Sequence, residues 1–389
     1  MRQSSTGLKR IVTIYLGFVF FSNFSTILYF LTSYLLVSEY TVESISLLLL
    51  AYQAAKFALE IPTGYIADRF GRKQSGLIGL AGLAMYYLTL IFLPNMPWML
   101  AAFAVKGFAI SCISGSFESL FIDSIPQQAI LRYNVLERIL FYFSYALPAL
   151  LGGLIAQEQA FGIGLVVDIA AIGATAACAI SFPVIEDARR EKTDVSPRPL
   201  TSSLLAAKPM WPLYLMDLSQ AFAYVSVEDF FAPVLSQAGI SYEAAGAILA
   251  AQLVLSSLAG LAVPALLKRF PRQSFYNATG VIRIALTAFF LCPAINPWLR
   301  AVFYTAQVTA YALFAPLKYE LFQKKARPEL RCTLISIQSL MVSLGALLFY
   351  ALSTLLSNAL TLNTELLLAL ATMSTIYIPC LLKTATWLR

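Results

Sequence analysis

Long apolar runs recur along almost the whole chain, and they constrain the fold more than any other feature. Most runs reach about 20 residues, the length that a helix needs to cross a bilayer. Of the 389 residues, 59% are hydrophobic and 12% are charged, too few charges to cover a soluble globule. The runs are continuous and do not alternate, which argues against a transmembrane β-barrel. We therefore predict an all-α membrane protein.

The apolar runs predict twelve transmembrane helices. The basic stretch before the first run resembles the start of a signal peptide, but no clear cleavage site follows it, so we expect this run to remain as a helix. The predicted spans cover residues 11–36, 43–66, 75–94, 97–121, 135–156, 161–184, 210–236, 242–267, 274–293, 297–321, 332–357 and 362–383.

Positive charges indicate the orientation of these spans. Nearly all of the 27 lysines and arginines lie in the termini, in the loops after even-numbered spans or close to those span ends. This bias is typical of cytoplasmic loops. We therefore expect a multi-pass protein of a bacterial inner membrane with both termini in the cytoplasm. The net charge of +7 then reflects topology, and nucleic-acid binding is not expected.

The longest polar stretch, residues 185–209, divides the chain into two halves. It is charged and contains prolines, so it is typical of a linker. We predict one six-helix bundle over 1–184 and a second, pseudo-symmetric bundle over 210–389. Segments 69–72 and 97–98 each have a similar counterpart exactly two hundred residues later in the chain. A duplicated six-helix unit is what a transporter with two rocking halves needs.

The loop after the second span carries a specific motif, EIPTGYIADRFGRK over residues 60–73. It resembles the signature G-x-x-x-D-R-x-G-R-K of the major facilitator superfamily at every defining position. Those positions are Gly64, Asp68, Arg69, Gly71, Arg72 and Lys73. The resemblance covers the whole chain. It implies two six-helix bundles around a central cavity, alternating access, and a path lined largely by helices 1, 4, 7 and 10.

The signature residues also have physical roles. Gly64 permits close helix packing, and Gly71 permits a tight turn. By resemblance, Asp68 meets a helix N-terminus of the other half and locks one conformation, as the helix dipole favours. Arg69 would then pair with Asp123 near the end of the fourth span. The alternative is that these charges only fix topology.

Other segments resemble an exporting branch of the same family. Residues 114–123 look like the helix 4 ending of a drug-efflux-like branch. Residues 148–153 resemble the antiporter signature G-P-x-x-G-G, with one residue too many and no glycine before the proline. Lys106 and Gly107 lie where many members carry Arg-x-x-x-Gly. These resemblances favour export without establishing it.

The seventh span carries a polar face. Its members recur at steps of three or four residues and are Asp217, Gln220, Tyr224 and Glu228. An ionisable residue at the bilayer centre costs about 2.5–3.5 kcal/mol on insertion scales and usually serves a function. A carboxyl group removed from water holds a proton more readily. Our candidates for proton coupling are Glu228, Asp229, Asp217 and Glu118. Alternatively, Glu228 and Asp229 lie near the outer surface and are simply solvated.

Aromatic residues with polar tips form a matching face on the tenth span, where Lys318 follows them. Such residues suit a cavity that binds a partly apolar organic molecule, although ordinary helix packing is the alternative. Our cavity candidates are Lys106, Gln220, Tyr224, Tyr304, Gln307, Tyr311 and Tyr29. Lys106 would neutralise an anionic substrate or pair with a carboxylate. Asp168 and Arg283 receive no specific role in export, because the family places their helices at the periphery. In the alternative of uptake by symport, Lys106 and Arg283 would hold an anionic nutrient.

Residue content narrows the chemistry further. The chain has no histidine, and its five cysteines are scattered, so we expect no metal site and no cofactor. No nucleotide-binding motif is present, so the energy must come from a gradient. We predict a monomer that is not an enzyme and that exports a small amphipathic compound, such as a drug or a metal chelator, in exchange for protons. Uptake of a nutrient by symport and lipid flipping remain open alternatives.

Overall fold

The computed structural model describes residues 5–114, 116–125, 127–183, 208–326 and 331–388. This part of the chain is helical and contains no strand, which confirms the all-α fold class. The helices are α1 (Ser5–Ser22), α2 (Leu31–Val37), α3 (Val42–Phe70), α4 (Arg72–Phe92), α5 (Met96–Ile113), α6 (Ser116–Ser124), α7 (Gln127–Gln157), α8 (Phe161–Ser181), α9 (Trp211–Gln220), α10 (Ser226–Asp229), α11 (Phe231–Gln237), α12 (Tyr242–Leu266), α13 (Arg272–Leu291), α14 (Pro297–Lys325), α15 (Arg331–Leu356) and α16 (Leu362–Ala385).

Nine helical stretches in the described residues are long and apolar enough to cross a membrane. They coincide with every predicted span except the first, seventh and tenth. The tenth span is one helix of 29 residues, α14. It is not among the nine stretches because it carries more polar residues. Large apolar side chains are exposed on these helices, for example Phe92, Leu261 and Leu355, each more than 70% exposed. A lipid environment covers such side chains.

The chain divides into two compact units. Unit 1 comprises Met1–Glu186 and Tyr242–Ala250, and unit 2 comprises Asp187–Ser241 and Ala251–Arg389. The predicted linker over residues 185–209 lies almost entirely outside the described residues. The first turns of α12 therefore belong with the N-terminal helices, while the rest of α12 belongs with unit 2.

The predicted first span is not continuous. α1 ends at Ser22, and α2 begins only at Leu31. In an unbroken helix, the N–H groups of Thr26 and Ile27 would bond to carbonyls four residues earlier. Both donate instead to the Asp168 carboxylate of α8, over 2.7 and 3.3 Å. The prediction of one helix here is wrong, because a buried carboxylate takes the place of the helix's own acceptors.

The predicted seventh span is interrupted as well. α9 ends at Gln220, a π-helical turn follows, and Phe230 leaves helical geometry before α11. Pro233 contributes to this second break, because it lacks the N–H that would bond to the carbonyl of Asp229. π-helical turns are frequent at functional sites. Our prediction of one continuous helix is again wrong.

The predicted fourth span is divided near its end. α5 stops at Ile113, Ser114 has an extended ψ of 122°, and α6 begins at Ser116. The described residues therefore form two helices where we predicted one.

Candidate functional site

A cavity of about 340 Å³ lies in unit 1, beside the interruption between α1 and α2. Its wall combines apolar and polar side chains from α1, α4, α5, α7 and α8. The aromatic, polar and charged lining residues include Asn23, Ser25, Tyr86, Tyr87, Lys106, Tyr145 and Asp168. A mixed wall of this kind suits a small organic molecule with an apolar body and a few polar groups.

Asp168 holds the interrupted segment in place. Its carboxylate is 1% exposed and accepts hydrogen bonds from the Ser25 hydroxyl at 2.6 Å and the Thr26 hydroxyl at 2.9 Å, besides the two backbone N–H groups. Gly152 of α7 also packs against this segment, because a Cβ there would lie 2.1 Å from the Thr26 carbonyl oxygen. Four donors stabilise the charge of the buried carboxylate. These contacts hold the interruption between α1 and α2 in a defined conformation.

Lys106 of α5 faces the same cavity. Its ammonium lies 4.8 Å from the ring centroid of Tyr86 and 5.2 Å from that of Tyr52, within the range of cation–π attraction. The neighbouring Gly107 lets α3 approach, since a Cβ there would lie 2.5 Å from the Tyr52 carbonyl oxygen. The ring centroid of Tyr29, another cavity candidate, lies 6.4 Å from that of Tyr145, but Tyr29 is not among the lining residues of this cavity.

In unit 2, Arg283 of α13 lies between two tyrosine rings. The guanidinium carbon is 3.4 Å from the ring centroid of Tyr224 and 4.1 Å from that of Tyr311. Its Nε donates to the Gln307 side-chain oxygen at 3.3 Å. Arg283 is 4% exposed. Three of our cavity candidates therefore meet at Arg283, to which the sequence analysis gave a role only in the uptake alternative.

Glu228 belongs to α10, one turn beyond Tyr224. Its side chain is exposed, and the ring of Tyr224, four residues earlier, contacts Arg283. Asp229 accepts a hydrogen bond from the Tyr350 hydroxyl, which fixes its position. Of the two adjacent acids, Glu228 is the more accessible.

A buried ion pair lies at the other end of the predicted polar face. Asp217 of α9 pairs with Lys318 of α14, and both side chains are buried. The Gln338 side-chain nitrogen donates to Asp217 at 2.9 Å, and Lys318 lies 3.4 Å from the Gln220 side-chain oxygen. Asp217 and Gln220 therefore tie helices together within unit 2, and they are shielded from water.

Removing one partner of this pair should destabilise the protein strongly. We expect Lys318→Met to lower the free energy of unfolding by about 3–5 kcal/mol, because Asp217 would stay buried without its cation. The double variant Asp217→Leu/Lys318→Met should recover most of this loss, since apolar side chains replace buried ion pairs at little cost. Thermal unfolding in detergent micelles measures both. Equal stability of the single and double variants would contradict the proposed pairing energy.

The remaining candidates have other surroundings. Tyr304 is packed in the core, with its ring centroid 4.1 Å from that of Phe231. Glu118 is exposed on α6 of unit 1.

The signature residues are described only in part. The backbones of Gly64, Asp68, Arg69 and Asp123 are helical, but the surroundings of Gly64 and the side chains of the other three lie outside the described part of the chain. Gly71 has a φ of +104° at the turn between α3 and α4, a conformation that favours glycine. Arg72 is the first residue of α4.

Lys73 caps the end of α8. Its ammonium donates to the carbonyl oxygens of Ile180 at 2.7 Å and Phe182 at 2.9 Å. A cation at a helix C-terminus is favourable, so this signature lysine also joins α4 to α8.

Comparisons with known proteins give a consistent picture. A family model described as Major Facilitator Superfamily matches residues 13–377. Among solved structures, the nucleoside transporter NupG aligns with a TM-score of 0.77 at 15% identity, covering 95% of this chain and 98% of that one.

A D-xylose-proton symporter has a TM-score of 0.72 at 13% identity and covers 99% of this chain and 97% of its own. A bacterial homologue of the iron transporter ferroportin has 0.70 at 16%, with 97% and 100% covered. No curated protein sequence matches the chain. Likeness at such identities shows the fold, and it confirms the predicted two-bundle membrane architecture.

Proposed function

This chain belongs to the major facilitator superfamily and is a secondary active transporter that works by alternating access, and we propose that it exports a small amphipathic organic compound in exchange for protons. The observation that carries the proposal is the charge cluster of unit 2. There the exposed Glu228 lies four residues beyond Tyr224, whose ring contacts Arg283, and it is adjacent in sequence to Asp229. We also propose a monomer in a bacterial inner membrane, with both termini in the cytoplasm.

Glu228 is the proposed proton carrier. It lies four residues beyond Tyr224, whose ring contacts the Arg283 guanidinium, and next to Asp229, so we expect charges of both signs to act on its carboxyl group. A cationic or hydrogen-bond-donating substrate favours the deprotonated carboxylate. Linkage then requires that a proton disfavour that substrate equally. Mutual exclusion of proton and substrate is the basis of exchange.

The aromatic walls support an amphipathic substrate. Tyr224 and Tyr311 present ring faces on both sides of Arg283 in unit 2. In unit 1, Tyr86 lies under Lys106 at the cavity wall. Tyrosine offers an apolar body and a hydrogen-bonding tip, which matches a compound with both characters.

Proton-coupled uptake of an anionic nutrient is the second candidate. Two positively charged residues on apolar helices support it. Arg283 lies between the aromatic rings of unit 2, and Lys106 lines the cavity of unit 1, so each could meet an anionic substrate where we expect it to bind. An anion bound at Arg283 would make proton binding to Glu228 easier, so that both would travel together. A D-xylose-proton symporter is among the structures with a similar fold.

The direction of proton movement separates the two candidates. Everted membrane vesicles are given an inside-acid pH gradient, and lipophilic cations, neutral antibiotics and chelating acids are added in turn. Export predicts that one class collapses the gradient with wild-type protein. Glu158→Gln, an exposed glutamate at the end of α7, serves as the matched control and should behave as wild type. Absence of collapse with every class contradicts export, and growth on single nutrients then tests uptake.

The signature loop should govern closure without touching the substrate. We expect Asp68→Asn to reduce the transport rate by about tenfold, a loss typical of one coupling interaction, while the protein reaches the membrane in normal amounts. Initial rates in vesicles, normalised to the protein present, measure the effect. Near-normal transport by this variant would contradict the gating role.

A further inference from the structure

A groove of about 400 Å³ opens on unit 2 where α12 ends, beside α14. It is separate from the cavity of unit 1 and from the Arg283 cluster. Its apolar wall consists of Val263, Pro264, Leu267, Pro316 and Leu317. Its charged rim consists of Lys268, Arg272 and Glu320.

Two prolines shape this groove. Pro264 in α12 and Pro316 in α14 have no N–H, so the carbonyls of Gly260 and Ala312 lose their helical donors. The two helices approach each other at these same positions, since a Cβ on Gly260 would lie 3.9 Å from the Ala312 carbonyl oxygen. Prolines bend helices, and both rings are exposed beyond this approach. The helices therefore leave an open, apolar trough.

The rim of the groove is basic. Glu320 is shared by two cations, since its carboxylate lies 2.8 Å from Arg272 and 2.6 Å from Lys324. Lys268 is exposed at the same rim and adds a positive charge that Glu320 does not balance. The rim therefore attracts an anion.

The surroundings place the groove across a membrane boundary. Leu258 and Leu261, which precede the groove-lining residues on α12, are 58% and 75% exposed. At its charged end, Phe270 and Tyr319 are 53% and 64% exposed. Exposed aromatic residues are enriched at the level of lipid headgroups. The trough thus runs from hydrocarbon depth to headgroup depth.

We propose that this groove binds an anionic phospholipid. One acyl chain lies along Leu267 and Leu317, and the phosphate meets Lys268 and Arg272. Basic pockets between transmembrane helices bind anionic headgroups, and each basic residue near the surface adds to the attraction. A lipid without net charge matches the trough but not the rim.

Native mass spectrometry of the purified full-length protein in detergent tests the proposal. Phosphatidylglycerol and phosphatidylcholine with the same acyl chains are titrated separately, and bound copies are counted. We expect phosphatidylglycerol to bind about tenfold more tightly. Lys268→Gln should reduce that preference severalfold, whereas the matched control Arg269→Gln, which does not line the groove, should keep it. Leu267→Trp, which fills the trough, should weaken binding of both lipids.

Three results would overturn the proposal. They are equal affinity for the two lipids, an unchanged preference in Lys268→Gln, and displacement of phosphatidylglycerol by millimolar inorganic phosphate, which would indicate a simple anion site. Thermal unfolding without added lipid verifies that each variant is folded. None of these results depends on the transported substrate, so they leave the proposed export untouched.

Discussion

Asp168→Ala is expected to destabilise unit 1 severely. The substitution removes the acceptor of two backbone N–H groups and two hydroxyls inside an apolar bundle. Each buried donor left without a partner costs about 1–3 kcal/mol, so the two N–H groups alone cost about 2–6 kcal/mol. We expect little folded protein in the membrane, and a markedly lower unfolding temperature for any that is recovered.

Two milder variants distinguish the carboxylate from its neighbours. Ser25→Ala removes one hydroxyl donor and leaves both backbone bonds, so it should cost no more than about 1.5 kcal/mol. Asp168→Asn keeps one acceptor oxygen but places an NH2 group against hydrogen-bond donors. Its loss of stability should therefore lie between those of Asp168→Ala and Ser25→Ala. Thermal unfolding in micelles provides the comparison. A stable Asp168→Ala protein would show that the interruption of the first helix does not depend on this residue.

Glu228→Gln is expected to abolish proton coupling while sparing substrate binding. Glutamine has nearly the shape of a protonated glutamate but cannot release a proton. The variant should therefore exchange substrate for substrate across the membrane, yet fail to move substrate against its gradient. Substrate counterflow in proteoliposomes, measured with and without a pH gradient, separates the two activities for the compound class found in vesicles.

The adjacent acid is the matched control for this variant. Asp229 is held by the Tyr350 hydroxyl, so Asp229→Asn should perturb that hydrogen bond and lower the rate without removing pH dependence. If Glu228→Gln keeps full proton coupling and Asp229→Asn loses it, Asp229 and not Glu228 carries the proton. Loss of counterflow in Glu228→Gln would show that the carboxyl group serves substrate binding as well.

The sequence predicted the class of fold because span length and hydropathy are local properties. The nine apolar stretches and α14 coincide with predicted spans, and the signature over residues 60–73 pointed to the family that the comparisons show. The interruptions were missed because their cause is distant in sequence. The acceptor that unwinds the first helix at Thr26 is Asp168, 142 residues away.

The sequence predicted which residues of the candidate site share a helix face, but not which residues of other helices contact them. Helical periodicity placed Gln307 and Tyr311 on one face of the tenth span, and both contact Arg283. It did not show that Arg283 of another helix would lie between Tyr224 and Tyr311. A buried arginine in an apolar span was the available signal, because such a charge needs a partner.

Proton movement in everted vesicles tests the central claim most directly. Vesicles carrying the wild-type protein, Glu228→Gln or Glu158→Gln receive the same inside-acid gradient and the same compound panel. The account predicts that one class of compound collapses the gradient with wild type and Glu158→Gln, and that Glu228→Gln gives no response. Collapse of equal size in Glu228→Gln would contradict the assignment of the proton to this carboxyl group.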